Sequence, residues 1–144
     1  MRARLDITGS LLVTDLFGYW PDFHDAEVLR LRFEATGDDG PLLFAEIYAF
    51  EMTSDVAPSG QYVLRNHVLV SFRFSGIDNL EMHGFNAQNT IMGLNIANIR
   101  ERQLEGISFE VRFEGSFGVS AKFVCRDVVV EGVRPWARRG SFAV

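Results

Sequence analysis

The sequence predicts an all-β domain, mostly antiparallel, with seven or eight strands forming a curved sheet, sandwich or open barrel and one short N-terminal helix. Three observations carry this. Runs with apolar residues at every second position recur along the chain, as in strands that bury one face; Leu29, Leu31, Phe33 and Phe109, Val111, Phe113 are two examples. Clusters of Gly, Pro, Asn and Asp punctuate these runs at the interval expected of an all-β fold. The alternation of strand and long helix that a parallel sheet requires is missing from the sequence. A length of 144 residues with 47% hydrophobic content suits one domain with its own core. That domain is read as residues 1–133, followed by a tail at 134–144.

The helix comes first. Ser10 is placed to cap Leu11 to Phe17, Leu12 and Leu16 share a face, and Gly18 can end it. The first strand follows, with Leu29, Leu31 and Phe33 on one face and Arg30, Arg32 and Glu34 on the other. Carried backwards, its alternation puts Glu27 and Asp25 on the apolar face, where carboxylates require hydrogen bonds or partners. The turn Thr36-Gly37-Asp38-Asp39-Gly40-Pro41 leads to Leu42 to Met52, apolar on both faces and so a central strand. Beyond the loop containing Pro58, Ser59 and Gly60, a long strand from Tyr62 to Phe74 carries Val68, Val70, Phe72 and Phe74 on one side.

Ser75-Gly76 breaks that strand, and Ile77 to Phe85 supplies another. Thr90 to Arg100 fits a strand through Met92, Leu94 and Ile96, or a helix through Ile91, Asn95 and Ile99; its Thr, Ile and Gly content favours the strand. Ile107 to Phe113 and Val119 to Cys125 form a hairpin around Gly115-Ser116-Phe117-Gly118, and Asp127 to Val133 is the last strand. In the tail, Trp136 and Phe142 have several possible fates: packing on the sheet, docking a neighbouring subunit or remaining disordered.

Charge narrows the function classes. Net charge is −5, and residues 15–55 hold ten acids against only Arg30 and Arg32. An acidic first third repels nucleic-acid phosphate and anionic lipid and steers a basic partner. No window approaches the roughly 18 apolar residues of a membrane span, and the N-terminus lacks the apolar core of a signal peptide. The expected location is the cytoplasm. The single cysteine, Cys125, lies in an alternating apolar run, which predicts a buried core thiol and rules out an internal disulfide.

The stretch from Gly18 to Val28 is where a site would sit, because two aromatics and His24 stand among Asp22, Asp25 and Glu27. In the structural alternative, Asp25 accepts backbone N–H groups while Trp20 and Phe23 cover the junction of helix and sheet. His24, His67 and His83 lie far apart with no short ligand interval, so no metal is expected. The chain shows no nucleophile elbow, no catalytic cysteine context and no phosphate loop, so neither catalytic residues nor a cofactor is expected. Asn86, Gln88 and Asn89 form an amide-rich bend that could serve a ligand or its own backbone.

Trp20-Pro21-Asp22-Phe23-His24-Asp25-Ala26-Glu27-Val28, the strand ending Phe50-Glu51-Met52-Thr53, the strand His67-Val68-Leu69-Val70, Gly84-Phe85-Asn86-Ala87-Gln88-Asn89 and the hairpin containing Cys125 together resemble the immunity protein 50 family of bacterial polymorphic toxin systems. The resemblance spans roughly residues 10–133. It implies a bacterial, cytoplasmic, non-enzymatic protein that binds and neutralises a cognate toxin domain, and it brings no catalytic residues with it. The tail with Arg134, Arg138, Arg139 and Trp136 departs from the family pattern. An acidic inhibitor of a basic toxin would bind through Trp20, Asp22, His24, Asp25, Glu27, Asp38, Asp39, Glu46, Asn86, Gln88 and Asn89. Two rivals remain. One is a small-ligand-binding or hydrolytic protein using the Trp20 to Glu27 mouth as a pocket, and the other a scaffold using the Leu42 to Met52 strand or the tail.

Overall fold

The computed structural model describes residues 4–136. Its elements run α1 (Leu11–Phe17), β1 (Glu27–Glu34), β2 (Leu42–Val56), β3 (Tyr62–Ser75), β4 (Asp78–His83), β5 (Thr90–Asn98), a 3-10 turn (Arg100–Arg102), β6 (Phe109–Phe117), β7 (Ser120–Cys125) and β8 (Asp127–Pro135). The eight strands form one antiparallel sheet in the order β4-β7-β6-β5-β1-β2-β3-β8. The all-β expectation with one short helix holds, and the Thr90 segment is the strand that its composition favours.

The sheet folds back on itself. Phe74 of β3 meets Phe123 of β7 edge-on at 5.2 Å between ring centroids and Phe113 of β6 at 6.2 Å. Residues from β1-β2-β3-β8 and from β5-β6-β7 therefore share one core, which also contains Ile47, Val70, Ile91, Val111 and Cys125. Aromatic pairs of this kind contribute roughly 0.5–1.5 kcal/mol each beyond the area they bury. Burial pushes the Cys125 thiol up to about 12, so it is an inert apolar filler at neutral pH.

Two corners join the halves on one side. At Ser75-Gly76-Ile77 the chain leaves β3 for β4, and at Arg126 it leaves β7 for β8, so two bent strands run side by side through both halves. The Arg126 N–H donates to the Ser75 carbonyl at 2.8 Å, and the Ile77 N–H donates to Pro41 at 3.0 Å. Gly76 has φ of 67° and its Cα faces the Asp39 carbonyl so closely that an added Cβ would lie 2.7 Å from that oxygen. Only glycine meets both conditions without strain. On the opposite side the join is thinner, because β1 and β5 pair in register only at Glu27 and Thr90.

Several local expectations change. Ser10 precedes α1 without a side-chain cap, its hydroxyl donating instead to the Arg4 carbonyl at 2.7 Å. Leu12 and Leu16 are exposed, and the helix buries Val13, Thr14 and Phe17; Gly18 ends it in the left-handed conformation, as expected. A bulge at Leu29 breaks the alternation of β1: Val28 faces the core, Leu29 is exposed, and Leu31 and Phe33 pair opposite Ala45 and Leu43. A second bulge places Met92 outside while Ile91, Leu94 and Ile96 are buried. The hairpin expected to turn at 115–118 continues as strand to Phe117. β8 runs through Pro135, whose missing N–H is tolerated on an edge strand, and the Trp136 N–H donates to the His67 carbonyl at 3.1 Å. Phe142 and the other residues from 137 onward lie outside the described residues.

Candidate functional site

The Trp20 to Asp25 loop lies over the thin join between the halves. Trp20, Phe23 and Phe72 form an edge-to-face triad with centroid separations of 5.8, 6.2 and 5.8 Å, anchoring the loop on β3. The Arg4 guanidinium sits 6.0 Å from the centroid of the Trp20 ring. Trp20 is thus a half-buried prop, as the structural alternative held, and the exposed aromatic beside it is Tyr19.

Hydrogen bonds stitch the same loop to β5. The Leu94 N–H donates to the Asp22 carbonyl at 3.0 Å and the Asp25 N–H to the Ile91 carbonyl at 2.9 Å. The Asp22 carboxylate accepts the His24 N–H at 3.0 Å, so the backbone-accepting acid is Asp22 rather than Asp25. Phe23 and Asp25 both have positive φ, 62° and 64°. These two left-handed residues end the extended alternation, which is why Asp25 turns to solvent instead of the core while Glu27, on the first residue of β1, is buried.

His24 is held by its ring. Its Nδ1 lies 3.0 Å from the Met92 carbonyl, which can only accept, so Nδ1 carries the proton. Nε2 then faces the Asp25 carboxylate at 3.5 Å. The Met92 carbonyl first, and Asp25 second, raise the His24 pKa above its ordinary value. This charge sensitivity sits on an exposed side chain.

Between this loop and the root of the β2-β3 hairpin opens a cleft of about 380 Å³. One wall is Tyr19 to His24, and the other is Phe50, Glu51 and Met52. Glu51 is already engaged: Arg65 Nε donates to it at 2.7 Å, Asn66 Nδ2 at 3.0 Å and the Tyr19 hydroxyl at 3.2 Å. Arg65 leads the forces that hold the Glu51 carboxyl below its ordinary range, while burial, followed by Glu51, raises the Tyr19 hydroxyl. The residues of this second wall, and Arg65, are not among the candidates read from the sequence. Only the Phe50-Glu51-Met52-Thr53 motif marked them, and nothing in it showed that β2 returns to face Tyr19.

The remaining candidates scatter. Asp38 and Asp39 occupy the turn at the far end of β1, about 25 Å away by strand rise, where Asp39 bonds Arg126 Nη1 at 2.9 Å. Glu46 lies on the outer face of β2 beside Arg30, at 3.7 Å. Asn89 is buried, and its Oδ1 accepts the Asn86 and Val119 N–H groups at 2.8 and 3.1 Å while its Nδ2 donates to the Asn86 carbonyl at 2.8 Å. Asn86 Oδ1 accepts the Ala87 N–H, and Gln88 is exposed. Tyr48 and His67 make a separate contact, hydroxyl to Nδ1 at 2.7 Å. Among the described residues no group of His, Cys, Asp and Glu is arranged to hold a metal ion, and no helix is long and apolar enough to cross a membrane.

The structure thus brings Trp20, Asp22 and His24 together at one cleft, with Asp25 beside His24, and leaves the other candidate acids elsewhere. No curated protein and no solved structure matches the chain. A family model described as immunity protein 50 does, over residues 9–136, from the turn before α1 to the residue after β8, and the chain therefore belongs to the immunity protein 50 family.

Proposed function

We propose that this protein neutralises a cognate bacterial toxin domain by binding it stoichiometrically, without catalysis, in the cytoplasm. The observation that carries the reading is the family match across nearly the whole described fold. The binding surface we assign is the cleft between Tyr19–His24 and Phe50–Met52, because it joins exposed acid to aromatic wall, the composition of an interface hot spot. A toxin with a basic surface suits it, since opposite potentials accelerate encounter. The test is titration of the C-terminal domain of the large secreted protein encoded beside this gene, with growth rescue as a second readout. The expected result is a tight one-to-one complex that abolishes toxicity; absence of binding to any neighbouring product overturns the reading.

The volume of the cleft favours a second reading as a small-molecule pocket. It predicts that His24→Ala removes ligand binding with little loss of stability, and a ligand screen that leaves the Tyr19 and His24 signals unmoved by nuclear magnetic resonance argues against it.

A further inference from the structure

Beyond Tyr48 on β2 and Val68 on β3, neither β1 nor β8 pairs with the β2-β3 hairpin. Residues 51–56 and 62–65 pair only with each other, forming a two-stranded arm about 20 Å long. Such a ribbon is marginally stable alone in water. This one nevertheless exposes large apolar side chains. Met52 stands opposite Leu64 and Val56 opposite Tyr62, and Leu64 and Tyr62 lie two residues apart on β3, so all four share one face. Met52 is 51% exposed, Val56 61% and Tyr62 57%. Met52 also borders the acidic cleft, so the arm's apolar side chains begin at its rim.

The charge at the root of the arm indicates what covers this surface. Asp22 and Glu51 line the cleft there, with Asp25 beside His24, while the Arg65 guanidinium is committed to Glu51 and that of Arg4, near Trp20, to Asp6. Asp22 is in no ion pair with an arginine or lysine among the described residues, and its carboxylate accepts the His24 N–H. The exposed Tyr19 ring beside it offers a face on which a planar cation stacks.

Resting on the toxin-binding reading above, we infer that the arm and cleft together take a segment of the partner protein that carries an arginine, its guanidinium entering between Tyr19 and Asp22 and its apolar neighbours lying along Met52, Val56, Tyr62 and Leu64. The apolar contacts exclude water from the charge pair and so strengthen it, which is how a few interface residues dominate affinity.

The test titrates the neighbouring toxin domain against the whole protein and against Asp22→Asn, the double variant Tyr62→Ala with Leu64→Ala, and Asp38→Asn with Asp39→Asn as the far-end control. Asparagine at 22 still accepts the His24 N–H, and the arm residues are exposed, so all variants should keep the parent's unfolding midpoint within a few degrees. The expected result is at least about a tenfold loss of affinity for each of the first two, a flatter salt dependence for Asp22→Asn, and no loss in the control. A complex that forms normally in both overturns this inference while leaving the toxin-binding reading standing. Loss confined to the arm variant overturns the arginine assignment, and failure of the parent protein to bind overturns the reading beneath it.

Discussion

The two ends of β1 carry the same residue types and put them to opposite uses. At the Asp38-Asp39 end, acid and backbone are committed: Asp39 bonds Arg126, its carbonyl abuts Gly76, and both bent strands cross there. At the Trp20 to Asp25 end, the backbone is fixed by bonds to β5, but the Asp22 carboxylate borders a cleft and that of Asp25 is exposed beside His24. Acidic composition is therefore not a surface property by itself. Whether an acid steers a partner depends on what the fold has already placed beside it.

This contrast can be broken or sharpened by experiment. Phe74→Ala, just before the closed corner, removes the ring that touches both halves; denaturant unfolding should show a loss of about 3–5 kcal/mol. Gly76→Ala should cost about 2–4 kcal/mol through its left-handed φ and the Asp39 carbonyl in its way, whereas His24→Ala at the open end should leave the unfolding midpoint within a few degrees. Equal losses at the two positions would refute the contrast. Asn89→Ala leaves the Asn86 and Val119 N–H groups without their acceptor, and a loss of about 1–3 kcal/mol should appear in the same assay. Asp39→Asn weakens an ion pair whose side chains are 53% and 46% exposed, so its stability cost should stay below about 1 kcal/mol.

The smallest effect concerns His24. Its folded pKa is raised, so the stabilisation it contributes is fully present below its ordinary value of 6.5 and fades as pH rises through the higher folded value. A nuclear magnetic resonance titration should find its midpoint above that of a model imidazole, and Asp25→Asn should lower it. A midpoint unmoved by Asp25→Asn would leave the Met92 carbonyl and Asp22 as the causes.

Most strands were legible because their period survives in the sequence: Val68, Val70, Phe72 and Phe74 are all buried as read. What failed was alternation across bulges. Leu29 and Met92 look like core by spacing, yet one extra residue in each strand turns them outward, and no residue type announces a bulge. Asp25 misled for a related reason, since its φ of 64° is a choice the fold makes for a residue that tolerates it. The cleft was half legible. Its Tyr19 to His24 wall is local in sequence, but the wall of Phe50, Glu51 and Met52 depends on where a strand about 30 residues later returns, which period alone does not encode.

The crossing of the bent strands has a consequence for synthesis. β3 waits for β8, with Phe72 pairing to Val130 and Val70 to Val133, and Thr8 before the helix bridges to Val129. As the chain leaves the ribosome, the sheet of its first three strands exposes the β3 edge until the final strand emerges. Pairings so distant in sequence make folding slow relative to local hairpins. A nascent or truncated copy lacking β8 would therefore keep β3 as an open edge, and only the finished chain can close the sheet.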